Sequence, residues 1–273
     1  MRCRFLPFFL LLLLSLVGCV NAELTVHYID VGQGDAELLQ SGGHNMLIDA
    51  GPASASSKLV FYLKNAGVKS LDVVVATHPH EDHIGGMMAV LNAFPVKLYI
   101  DNGEKTTTPT YKNLMKKLVS ANIPYTVVKT GATIPFVNRI SIQVDNPGSL
   151  TGDLNADSIV LKVTDNAEKF LFMGDAADGT GDLSAQVLKV THHGSNSGTS
   201  KSFLNKVNPE IAIIEVGSGN DWGHPTKTTL KTLQSKGVKI YRTDLNGNIV
   251  VRSNGNSYTD LTTVGGVNTQ TNK

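Results

Sequence analysis

LDVVVATHPHEDHIGG, residues 71–86, places four potential metal ligands directly behind a short apolar, β-branched run. The run 71–76 carries Val73, Val74 and Val75 with no polar alternation, the pattern of a strand covered on both faces. His78, His80, Asp82 and His83 then fall within six residues of one another. Imidazole and carboxylate are the side chains that suit zinc, manganese or iron. His78 and His80 are two apart, so in extended chain both point the same way and can grip one ion. Asp82 and His83 reach a neighbouring position, where a second ion can sit. Gly85-Gly86 lets a helix start close against that loop.

Outward from this centre the chain of 273 residues shows no repeat and no long linker, so it reads as one domain. Strands are predicted over 24–30, 36–40 and 45–49, the last two joined by a turn at Ser41-Gly42-Gly43. Helical spacing over 57–66 stops at Gly67. It resumes over 84–94, 111–121 and 226–234. Several strands are expected between 125 and 163, and further ones over 169–173, 187–190 and 211–216. Asn246-Gly247 reads as a hairpin turn between 239–242 and 248–252. Hairpins mixed with strand–helix alternation exclude a single parallel sheet. The pattern predicts an α/β fold, a four-layer αββα sandwich of two mixed β-sheets flanked by helices.

The ends read differently. Arg2 and Arg4 precede an unbroken apolar run, followed by small residues near Gly18 and Ala22, the order of a secretory signal. Residues 1–22 are therefore expected to be a leader, 23–260 the working domain and 261–273 a flexible tail. Leu16-Val17-Gly18-Cys19 reads as a lipobox, which predicts cleavage before Cys19 and membrane attachment through its lipidation. Val20-Asn21-Ala22 reads as an ordinary signal-peptidase site, which predicts release. The lipobox is the preferred reading, and either makes the protein extracytoplasmic. The only cysteines are Cys3 and Cys19, so nothing beyond the leader can form a disulfide or supply a thiolate. Net charge is +1, and both leader arginines count toward it, so global charge favours no nucleic-acid partner.

With its H-x-H-x-D-H run at His78–His83, the chain resembles the metallo-β-lactamase superfamily. Asp49 in MLIDAG and Asp175 in FLFMGD match that family's acidic motifs. More narrowly, DVGQGD (30–35), Asn155 with Ser158, LKVTHHGS through His192 and His193, and Gly223-His224-Pro225 resemble the ComEC-type branch. Its members carry this module in a DNA-uptake channel, and relatives stand alone as secreted hydrolases.

The resemblance implies two divalent metal ions, zinc or manganese, held by His78, His80, Asp82, His83, Asp175 and His193. Asp175 would bridge them, and Asp49 would orient a ligating histidine through its other nitrogen. His192 and His193 are adjacent at a strand end, so their side chains are expected to point oppositely. His193 is taken as the ligand and His192 as the proton donor. His224 either supports a ligand from behind or faces the substrate, and His192, His224 and Asp82 form the catalytic set. His27 and His44 are expected to be structural or surface residues. No histidine lies between His83 and His192 to complete the first metal's shell, which leaves Asn155, Asp157 or water. Fewer nitrogen ligands shift preference from zinc toward manganese.

The implied function is a metal-dependent phosphodiesterase or nuclease acting on DNA. Lys58, Lys105, Lys112, Lys201 and Lys227 are candidates for a local basic path. The alternatives are a phosphocholine esterase or β-lactamase-type hydrolase on the same site, or a non-catalytic surface lipoprotein. The lack of a cysteine ligand counts against a lactamase.

Overall fold

The computed structural model describes residues 22–264 and 267–271, and the expected leader lies outside them except for Ala22. The first half of the domain builds one sheet from β1 (Leu24–Tyr28), β2 (Glu37–Ser41), β3 (His44–Ile48), β4 (Val73–Val75), β5 (Tyr99–Asp101) and β6 (Tyr125–Val127). Between them lie α1 (Ser56–Asn65), α2 (Glu81–Ile84), α3 (Met87–Ala93) and α4 (Pro109–Ser120). The second half builds another sheet from β7 (Ile140–Asn146), β8 (Val160–Asp165), β9 (Glu168–Phe172), β10 (Val187–Lys189), β11 (Ile211–Ile214) and β12 (Lys239–Arg242). Helices α5 (Lys201–Val207) and α6 (Lys227–Gln234) separate its later strands. After the one-turn helix α7 (Thr243–Asn246), β13 (Asn248–Ser253), β14 (Tyr258–Val264) and β15 (Val267–Thr271) return to the first sheet.

Both sheets are mixed. The first runs β15-β14-β13-β1-β2-β3-β4-β5-β6, and the second β12-β11-β10-β9-β8-β7. Strands β3 to β6 pair in parallel, as do β9 to β12, while the hairpins at each sheet's other end are antiparallel.

Side-chain alternation assembles the layers. Val73 and Val75 of β4 face the second sheet, where they meet the core that holds Phe170 and Phe172. Val74 faces the other way, against Leu59 of α1, Val90 of α3 and Leu114 of α4. Leu188 of β10 likewise packs with Phe203 of α5 and Leu233 of α6. Each such fully buried branched side chain stabilises the fold by roughly 1.5–3 kcal/mol. The result is the expected αββα sandwich, and its covered faces explain why β4 reads as an unalternated apolar run.

Two local expectations differ from the structure. The helix expected over 84–94 is broken at Gly85-Gly86 into α2 and α3. The hairpin expected at Asn246-Gly247 does not form. β12 pairs in parallel with β11, and β13 pairs with β1 in the other sheet, so this segment crosses between sheets through α7. An Asn-Gly turn specifies a local bend, but pairing follows the buried faces of the flanking strands. At the carboxyl end of the described residues, β14 and β15 pair antiparallel. No helix among the described residues is long and apolar enough to cross a membrane.

Candidate metal centre

Four chain segments leave strand ends on one rim of the sandwich and meet there. They are 77–83 after β4, Gly174-Asp175 after β9, Thr191–Gly194 after β10 and the loop after β11. Strands β9, β10 and β11 are parallel neighbours, so their carboxyl ends open on the same side.

The polar atoms form two adjoining clusters. His78, His80 and Asp175 bring ligand atoms within 4.8 Å of one another, and so do Asp82, His83 and His193. Asp175 stands between them. Its Oδ2 is 3.6 Å from His78 Nε2, while its Oδ1 is 3.4 Å from His83 Nε2 and 3.9 Å from His193 Nε2. All six residues expected as ligands are thus brought together, with the Asp175 carboxylate between the two clusters.

Outer contacts decide which ring nitrogens face the cleft. His83 Nδ1 donates to Asp49 Oδ2 at 2.7 Å, and Asp49 is itself fixed by Thr77 N and Thr77 Oγ1 at 2.8 and 2.6 Å. His193 Nδ1 donates to the Glu215 carbonyl at 3.0 Å, and Asp35 Oδ1 lies 3.1 Å from the same nitrogen. A proton held on Nδ1 leaves the Nε2 lone pair for a cation. The expected contact between Asp49 and a ligating histidine is therefore present. The DVGQGD segment supplies the matching partner, Asp35, for His193.

The electrostatics are those of a cation site. Burial opposes the charge on Asp175, but the imidazoles of His83, His193 and His78 outweigh it and hold its carboxyl well below the usual range. Burial likewise opposes a proton on His83, yet Asp175 and Asp49 raise it well above its ordinary value. His193 is pushed up to about 9, against its burial, by Asp35, Asp82 and Asp175. His78 is lowered well below by burial and by the charge of His83. A buried carboxylate is costly without a compensating charge.

His83 Nε2 and Asp175 Oδ1 are both buried and make no hydrogen bond, which is where a cation would satisfy them. All the donors are nitrogen and oxygen. The residues present fit divalent metal ions.

The adjacent histidines differ from the sequence expectation. His192 and His193 both have positive φ, 48° and 52°, so strand alternation does not apply. Both therefore line the same cleft, of about 300 Å³, together with Asn155, His224 and Trp222. A left-handed conformation is costly for a side chain larger than Gly or Asn. It persists here because Thr191 and Gly194 anchor the turn. Thr191 Oγ1 donates to the Ala176 carbonyl at 2.7 Å, and Thr226 N donates to the Gly194 carbonyl at 2.9 Å.

His192 Nε2 lies 3.6 Å from Asp175 Oδ2, the same oxygen that faces His78. Of the residues considered for the first cluster's open position, Asp157 is withdrawn, because its carboxylate accepts from Thr151 N, Thr151 Oγ1 and Gly152 N. Asn155 lines the cleft with a buried, unpaired Oδ1. His224 reaches the cleft 5.6 Å from the His192 ring. His27 and His44 sit elsewhere, bonded to Tyr62 and beside Asp72. None of the five candidate lysines lines the cleft, and Lys58 is tied to Asp30 at 2.6 Å.

Sequence reading missed Lys189, Glu215, Gln33 and Trp222. Lys189 is fully buried in β10 and ion-paired with Asp35 behind His193. Its signal was a lone cation inside the apolar run VLKV, which demands a buried partner.

Such a fold, with two imidazole–carboxylate clusters sharing one aspartate, defines a metal-dependent hydrolase. The chain belongs to the metallo-β-lactamase superfamily, whose family model matches residues 29–217. That family implies divalent metal ions, often two. Among curated relatives it is similar to ComE operon protein 3 of Bacillus subtilis, 28% identical over 270 residues, covering 88% of this chain and 34% of that protein. Competence protein ComA of Neisseria gonorrhoeae is 30% identical over 235 residues, covering 82% of this chain and 32% of that one. The chain thus spans about a third of the length of these relatives. Among solved structures, the fold is shared with YhfI from Bacillus subtilis, a metallo-β-lactamase fold protein. Its TM-score is 0.58 at 13% identity, covering 84% of this chain and all (100%) of that one. A diphosphatase of the PhnP family shares it with a TM-score of 0.53 at 14% identity, covering 84% and 98%.

Proposed function

We propose that the chain is an exported phosphodiesterase that hydrolyses DNA. The observation that carries this reading is the position of Asp175, one oxygen toward each cluster. A phosphodiester lying across such a pair presents its two non-bridging oxygens to both halves of the site. The kinship with competence proteins supports DNA as the polymer.

His78, His80 and Asp175 would hold one divalent ion, and Asp82, His83, His193 and Asp175 the other. Bound there, zinc or manganese would supply Lewis acidity, drawing the pKa of water down toward about 7 and offsetting charge on phosphoryl oxygens. The chain's own groups do the rest. Asp49 and the Glu215 carbonyl keep the His83 and His193 rings from turning. His192 and His224 face the cleft without being needed by either cluster. Burial lowers both imidazoles. An anionic phosphodiester seated beside them raises them again. The proton for the leaving oxygen would be passed on from His192 or His224.

Export rests on Arg2, Arg4 and the apolar run behind them. The mass of the mature N-terminus distinguishes lipidation at Cys19, which would attach the protein to a membrane, from cleavage after Ala22.

The test is metal content and nuclease activity on wild type and Asp82→Ala. Cleavage of DNA should require a divalent ion, stop with chelator, and fall more than 100-fold in Asp82→Ala, beyond the ~10–100-fold typical of losing an outer partner. Turnover of a phosphocholine ester or a β-lactam with none of DNA would replace this reading by another hydrolase. Bound metal with no turnover of any ester would replace it by a binding protein.

A further inference from the structure

Trp222 is the chain's only tryptophan, and it stands at the cleft rim 66% exposed. Every other residue lining the cleft carries an imidazole, a carboxylate or an amide. The indole is therefore the one apolar face that a substrate meets there.

Its backbone is fixed with unusual care for a surface loop. Asn220 Oδ1 accepts from Trp222 N at 3.2 Å and from His224 N at 3.0 Å. Asn220 Nδ2 donates to the carbonyls of Gly217 and His224 at 2.9 and 2.7 Å. Gly217 N in turn donates to Gln33 Oε1 at 3.1 Å, tying the loop to the segment that carries Asp35. One asparagine thus pins both ends of the turn under the indole. The ring itself makes no hydrogen bond or aromatic contact among the described residues. A rigid backbone presenting a free aromatic face is a pre-organised platform, whose ordering cost is met during folding and not on binding.

We propose that Trp222 stacks the nucleobase next to the scissile phosphate, so that the site takes single-stranded nucleic acid in preference to duplex. The inference rests on the phosphodiesterase reading and adds the substrate's form. A base inside a duplex has both faces covered by its neighbours, whereas an unpaired base offers a free π-face. Stacking of this kind is indifferent to sequence. The cleft of about 300 Å³ is at the small end for ligand pockets and suits a single splayed nucleotide. A quaternary ammonium also sits over an indole, but choline recognition uses a cage of several aromatic faces. Here there is one. Among the described residues, no lysine or arginine lines the cleft.

The test uses the full chain with metal restored, as wild type, Trp222→Ala and Trp222→Phe. Two single-stranded substrates of equal length are compared, an ordinary oligodeoxynucleotide and one built from abasic tetrahydrofuran units. The readout is the ratio of kcat/KM on the first to that on the second, with metal content measured in parallel. Trp222→Ala should lower the ratio about ten-fold or more, and Trp222→Phe should recover most of it. Wild type should also cleave the ordinary single strand faster than the blunt duplex of the same sequence. An equal loss on both substrates, or no loss on either, overturns the stacking role and leaves the phosphodiesterase reading intact. If wild type holds metal, cleaves neither oligomer and yet hydrolyses glycerophosphocholine, the nuclease reading itself fails.

Discussion

Oδ2 of Asp49 lies 2.7 Å from Nδ1 of His83, and both side chains are buried. Burial raises the Asp49 carboxyl and the imidazole draws it back, so each group depends on the other for its ionisation state. Asp49 also accepts from Thr77 N and Oγ1, which ties the chain before the histidines to the ring of one of them. An amide here would keep the shape but bring N–H groups against donors. Asp49→Asn should therefore weaken metal binding by about 10–100-fold. Chelator competition gives the apparent Kd; an unchanged value would remove Asp49 from any role at the metal.

Asp175 is shared, and its loss should differ in kind from the loss of a ligand in one cluster. Asp175→Asn should strip metal from both clusters, whereas His80→Ala should weaken only the one it belongs to. Elemental analysis after dialysis separates the two. Activity in Asp175→Asn should fall further than in Asp49→Asn, beyond the ~100-fold reached by removing an outer partner. Full metal content in Asp175→Asn would mean that the two clusters are independent.

Behind His193 lies a second, buried group of acids. Carboxylate oxygens of Asp35, Glu37 and Glu215 lie within 4.8 Å of one another, beside the buried Lys189. Burial, with the charge of Asp35, pushes Glu37 up to about 8, and Lys189 only partly offsets this. The folded protein then keeps a proton on Glu37 that the unfolded chain, with an ordinary value of 4.5, has released. Stability from this group is complete at low pH and declines from about pH 4.5 to about pH 8. Glu37→Gln holds its hydrogens at every pH. Its melting temperature should exceed that of wild type at pH 9 by several degrees, and the gap should close near pH 5. A constant gap across that range would show that Glu37 does not titrate in this window.

How much of this was legible in advance follows from the range of the signals. The αββα layering and the cluster at His78–His83 could be read because periodicity and ligand spacing are local. Asp49, Asp175 and His193 could be placed through a resemblance in motif. Lys189 and Glu215 could not be paired with Asp35 and Glu37, since those contacts join residues more than 150 positions apart. The opposed directions expected of His192 and His193 failed because nothing in THHG announces two consecutive left-handed residues. The fate of Asn246-Gly247 depended on which sheet would bury β13, a tertiary decision no turn propensity encodes.

A close backbone approach in the site gives the last prediction. Gly34 has a φ of +150°, and a Cβ built on it would stand 2.3 Å from the Asp82 carbonyl oxygen and 2.8 Å from Pro52 Cδ. Neither neighbour is a flexible side-chain end, and the 81–83 turn is held by Asp35 N, which donates to that same carbonyl at 3.2 Å. An alanine must therefore push the turn that carries Asp82 and His83 away from Asp35. Because His83 is anchored to Asp49, the displacement falls chiefly on Asp82, whose side chain is the more exposed of the two. Gly34→Ala should cost about 1–3 kcal/mol in stability from the backbone conformation alone. It should also weaken the cluster of Asp82, His83 and His193 while sparing that of His78 and His80. Melting of the metal-free protein reports the first effect and metal titration the second. Normal binding by a protein that melts early would confine Gly34 to folding, and loss of both sites together would mean that the turn moves as a whole.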